Sequence, residues 1–76
     1  MKVSNQYLGL ILLRRRKEKR YSQQYVAEKM GVTNATVHNW EQGKRQMFAY
    51  QFFDICDILD LDPDEVYKEV KSHACV

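Results

Sequence analysis

The side chains with most to offer a partner lie in the run Thr33-Asn34-Ala35-Thr36-Val37-His38-Asn39-Trp40-Glu41-Gln42. On a helix that turns Val37 and Trp40 inward, Asn34, Ala35, His38, Asn39 and Gln42 must face outward. Such a face is short, polar and nearly uncharged. It offers amide donors and acceptors and one methyl group, which suits the reading of base-pair edges in a major groove better than salt-bridged solvation does. Catalysis finds less to work with. His38, His73, Cys56 and Cys75 sit on separate elements, with no base and orienter paired along the chain, so no enzyme is expected. Two cysteines are too few for a metal cluster. Neither a cofactor nor a metal nor a small-molecule ligand is expected.

Those outward residues need a scaffold, and the composition describes one. At 76 residues with 45% hydrophobic and 29% charged side chains, the chain suits one compact domain spanning 1–76, too short to add a ligand-sensing domain. Three Gly and one Pro, with no alternating β-branched runs, favour helices throughout. The net charge of +2 conceals a polarity: residues 1–45 hold ten Lys and Arg against three Glu, while residues 46–76 hold two Lys against seven acids. One face can therefore meet a polyanion while the other end stays soluble. The cysteine content, with no leader before it, implies a reduced cytoplasmic setting. Leu8 to Leu13 runs straight into Arg14, too short an apolar stretch to span a bilayer.

Caps and breakers divide the chain into five helices. The first spans about 5–19 with Leu8, Ile11, Leu12 and Arg16 inward. Ser22 caps a second over 23–30 that buries Val26, Ala27 and Met30 and ends at Gly31. Thr33 caps the third, which stops at Gly43; a fourth covers about 50–59 with Phe52, Ile55, Cys56 and Leu59 at helical spacing. Asp62, Pro63 and Glu65 open the fifth, over about 63–71, as a capping box with the favoured proline. The same acids, with Asp60 and Asp64, could hint at a cation loop. Pro63 in their midst and the missing glycine favour capping.

Residues 22–43 supply what two helices meeting at a steep angle require. Ala27 is small at the close approach, Gly31 can take positive φ in the tight turn, and Val37 plugs the angle. Together with Leu8-Gly9, Leu12, Arg16, Ser22-Gln23, Val26-Ala27, Gly31-Val32, Trp40-Glu41, Gly43, Ile55, Ile58-Leu59 and Val66, this ordered set resembles the lambda-repressor-like, or xenobiotic response element, family of helix-turn-helix regulators. The resemblance implies an all-α, five-helix DNA-binding domain. It also implies roles position by position. Asn34 and Ala35 fall on the main base-reading positions, with Thr36, His38 and Asn39 further along. Gln23, Thr33, Gln42, Lys44 and Arg45 fall on phosphate-contacting positions, and Arg16 and Glu41 form a pair linking the first helix to the third. Three departures stand out. Arg20 replaces a helix-ending glycine, so either a non-glycine residue takes positive φ or the turn is built differently. Arg15 replaces an apolar residue, and Leu10 and Leu13 add apolar surface with no family role.

The expected function is a sequence-specific transcriptional regulator, a repressor or control protein of the size found in phage, plasmid or other mobile-element switches. Double-stranded DNA is its partner, and no membrane is involved. One head of this size makes few base contacts, so a homodimer on a pseudo-palindrome is expected, with Val66, Tyr67 and Val70 as the dimerising stripe. The alternative is a protein-interaction module, such as an antitoxin or anti-repressor partner, which would account for the extra apolar residues and the acidic C-terminal half.

Overall fold

The computed structural model describes residues 5–74, which form five helices and no strand: α1 (Asn5–Glu18), α2 (Gln23–Met30), α3 (Asn34–Glu41), α4 (Ala49–Leu59) and α5 (Pro63–Ala74). Cys75 lies outside the described residues. Local chemistry accounts for the helix starts. The Ser22 hydroxyl accepts the Tyr25 N–H at 2.9 Å, and the Thr33 hydroxyl accepts the Thr36 N–H at 3.1 Å. An Asp62 carboxylate oxygen accepts the Asp64 N–H at 3.0 Å. Helix α4 begins at Ala49, one residue earlier than Tyr50, and its cap residue Phe48 has no side-chain acceptor. Gln51 compensates by reaching back to accept the Phe48 N–H at 3.0 Å.

Four helices end in the same way, each followed by a residue with positive φ: Arg20 (60°) after α1, Gly31 (70°) after α2, Gly43 (74°) after α3 and Asp60 (56°) after α4. At each end the next N–H reaches back to a carbonyl five residues earlier: Tyr21 to Arg16, Val32 to Ala27, Lys44 to Asn39 and Leu61 to Cys56. The open question at Arg20 is thus answered, since a non-glycine side chain occupies the left-handed position there.

Leu12, Val26, Ala27, Val37, Trp40, Ile55 and Leu59 form the core, with Leu8, Met30, Ile58 and Leu61 packed around it. Cys56 is also buried, and that burial, assisted by Asp57 and Asp62, pushes its thiol up to about 11. Leu10, Ile11 and Leu13 are half-buried. The stripe expected for dimerisation needs a correction. Val66 and Val70 are only 5% and 1% exposed, because α5 packs against α1 and α4 and needs both valines to close this chain's own interior. Tyr67 alone of the three remains outside, at 47%.

Candidate nucleic-acid interface

The reading helix α3 is held from below by a backbone approach and a buried ion pair. Gly9 of α1 lies so close to the end of α3 that a Cβ there would come within 2.5 Å of the carbonyl oxygens of both Trp40 and Glu41. About two turns further along α1, Arg16 forks onto Glu41: its Nε donates to Oε2 at 2.6 Å and its Nη2 to Oε1 at 3.1 Å. The remaining guanidinium arm, Nη1, donates to the Tyr21 carbonyl at 2.8 Å. Both partners are buried. An ion pair with its donors satisfied in this way fixes an angle, because losing either side would strand a charge in a dry place.

A third member joins this pair. Gln23, the first residue of α2, donates from Nε2 to Glu41 Oε1 at 2.9 Å, and the same nitrogen lies 3.5 Å from His38 Nδ1. One buried carboxylate therefore ties the starts and ends of α1, α2 and α3 together. The resemblance placed Gln23 at a phosphate and gave no hint of this link. Its only trace in the sequence is that Gln23 and Glu41 occur in the same motif.

The rest of the reading face is laid out along α3. Asn34, Ala35 and His38 are exposed, Thr36 and Asn39 half-buried, and Val37 fully buried. Gln42, Lys44 and Arg45 are exposed immediately after the helix. Thr33 is exposed, but its hydroxyl already serves the helix cap and touches the Thr36 hydroxyl at 2.8 Å. Trp40 belongs to the core, and its indole N–H has no partner among the described residues.

Two further features escaped the sequence reading. Arg15, the departure from the family pattern, donates from Nε to the Leu59 carbonyl at 2.8 Å and from Nη2 to the Asp60 carbonyl at 3.3 Å, while Lys19 Nζ meets the Asp60 carboxylate at 2.6 Å. Part of the basic run on α1 thus closes the C-terminal end of α4, where free carbonyls attract cations. The Lys19 hydrogen bond and charge hold the Asp60 carboxyl below its ordinary value. The second is a set of exposed aromatics: Phe48, Tyr50 and Phe53 are 55% to 65% exposed, and Phe53 lines a groove of about 430 Å3 together with Ala49, Phe52, Asp62, Pro63, Asp64 and Tyr67. The aromatic density of residues 48–53 was a signal that periodicity alone could not assign to a face.

Two helices joined by a glycine turn, the second presenting a polar face and both locked onto a helical base, define a helix-turn-helix of the lambda-repressor type. A helix-turn-helix family model matches residues 12–66, and the chain belongs to that family. The class is one of DNA-binding transcription factors and not of enzymes. Among solved structures, the restriction-modification controller protein C.AhdI from Aeromonas hydrophila is similar at 25% identity and a TM-score of 0.77, over 84% of this chain and 93% of that one. Two structures of the clp gene regulator ClgR from Corynebacterium glutamicum share the fold. Both are 19% identical, with TM-scores of 0.83 and 0.81, covering 95% and 96% of this chain and 77% and 95% of theirs. No curated protein matches the sequence. No helix among the described residues is long and apolar enough to cross a membrane, and none of their His, Cys, Asp and Glu groups could hold a metal ion.

Proposed function

We propose that this protein is a sequence-specific transcriptional regulator, a repressor or control protein that binds a pseudo-palindromic operator as a homodimer. The observation that carries the reading is the uncharged polar face of Asn34, Ala35 and His38 on a helix whose angle is set by the buried Arg16–Glu41 pair. Asn34 can donate from its amide NH2 to adenine N7 while its amide oxygen accepts from the adenine N6 amino group, and the Ala35 methyl can meet a thymine methyl. Thr36 and Asn39 lie along the same groove. Phosphates are met by the backbone N–H of Gln23 at the open end of α2 and by Thr33, Gln42, Lys44 and Arg45. The likeness to a restriction-modification controller protein supports a control role.

A gel-shift titration against the DNA upstream of its own gene, repeated at several salt concentrations, tests this. Tight binding that survives competition by unrelated duplex is the expected result, and equal affinity for all duplexes at moderate salt would defeat it. For the dimer, Tyr67 with the exposed Phe48, Tyr50 and Phe53 is the surface that can bury apolar area without disturbing the core. Phe53→Ser should then sediment as a monomer with its helical signal intact. A dimer that persists in this variant moves the interface elsewhere, with Leu10 and Leu13 next to be tried.

A further inference from the structure

The side chain of Gln23 is spoken for before any DNA arrives. Glu41 is an ionised carboxylate, since both its oxygens accept from Arg16, so the part of Gln23 that lies 2.9 Å from Oε1 must be its NH2 group; the carbonyl in that place would set two acceptors against each other. An amide NH2 has two hydrogens. One points to Glu41, and the other is left for the group 3.5 Å from the same nitrogen, His38 Nδ1. A donor facing Nδ1 requires that ring nitrogen to be the unprotonated one. The neutral imidazole then carries its hydrogen on Nε2, the nitrogen on the far side of an exposed ring.

We propose that Gln23 is a positioning residue for His38, and that His38 thereby presents one N–H, on Nε2, to an acceptor on a base edge: guanine N7 or O6, adenine N7 or thymine O4. Gln23 has no side-chain donor left for a phosphate, whose oxygens only accept. The chain of contacts runs Arg16, Glu41, Gln23, His38, from the buried ion pair to the reading face, so the element that sets the angle of α3 also sets the side chain that reads. Arg16 and Glu41 are the charged groups at its inner end, and they compensate each other. The inference rests on the operator reading and adds a specificity determinant to it.

The experiment is a double-mutant cycle on operator discrimination. Gln23→Met keeps the length of the side chain and removes its donors; His38→Ala removes the ring. Each should cut discrimination at one and the same base pair by roughly tenfold. Combined, they should cost no more than either alone, and the slope of affinity against salt should not change in Gln23→Met. Additive losses, losses at different base pairs, or a shallower salt slope in Gln23→Met would each overturn the proposal, the last in favour of a phosphate contact by the amide. Nitrogen-15 NMR of the His38 ring in the free protein separates this failure from failure of the operator reading. The Nε2–H tautomer, perturbed at Nδ1 by Gln23→Met, is expected whether or not any operator is bound. An Nδ1–H tautomer, or a ring indifferent to Gln23→Met, would sink the link by itself.

Discussion

The two ends of this molecule expose opposite surfaces for opposite reasons. Around α3 the outward side chains are polar and the locking chemistry lies beneath them, in Gly9, Arg16, Glu41 and Gln23. Around the start of α4 the outward side chains Phe48, Tyr50 and Phe53 are aromatic, with Tyr67 as the aromatic residue on an otherwise charged outer face of α5, and among the described residues no buried ion pair lies under them. A surface that reads a duplex must hold small polar groups to within a fraction of an ångström, which calls for a rigid base. An apolar surface that meets another apolar surface depends on area and tolerates looser placement.

This contrast can be broken most forcefully at Glu41. Glu41→Ala leaves the Arg16 guanidinium buried without its partner and should cost about 3–5 kcal/mol in chemical denaturation, a large share of what a small domain has. Exposed-patch changes such as Phe53→Ser should leave the monomer's stability almost untouched. Next in size is the reading face itself. Asn34→Ala should lose roughly 1–3 kcal/mol of operator binding, confined to one base pair in a substitution series, while thermal stability stays as it was. Loss spread evenly over all duplexes would remove Asn34 from the reading set.

The helix ends sharpen the comparison at smaller scale. Arg20 and Gly31 occupy the same left-handed position after α1 and α2. A Cβ at Gly31 would meet nothing within 4 Å, so Gly31→Ala should isolate the backbone cost and lower stability by roughly 1 kcal/mol. Arg20→Gly should raise it by up to about the same amount, visible as opposite shifts in Tm. The smallest effect belongs to Asp60. Its folded carboxyl titrates lower than its unfolded one because of Lys19, so its contribution is present at neutral pH and fades as the pH falls through the folded value. Asp60→Asn should therefore narrow the stability gap between neutral and acid conditions without disturbing the turn, since Asn also accepts the left-handed conformation.

Much of the fold was legible because its signals are local. Ser22, Thr33, Asp62 and Gly31 announce helix boundaries through bonds to residues two to four positions away, and all four act where they were expected. Phe48 was not legible as a helix start, since its own side chain cannot cap and the work falls to Gln51. Val66 and Val70 were misjudged for a different reason. Helical spacing says that they share a face with Tyr67's neighbourhood, but not how much of that face the rest of the chain covers.

The sequence by itself determined five helices, a polarised charge distribution and a polar face from Asn34 to Gln42, because each of these follows from neighbours within a turn or two. Only the tertiary structure decided that Arg15 and Lys19 close α4, that Gln23 is bound to Glu41 and His38, and that Phe48, Tyr50, Phe53 and Tyr67 stay exposed. These are contacts between residues far apart in the chain. A long, multivalent side chain such as Arg or Gln has several equally good partners until packing brings one within 3 Å.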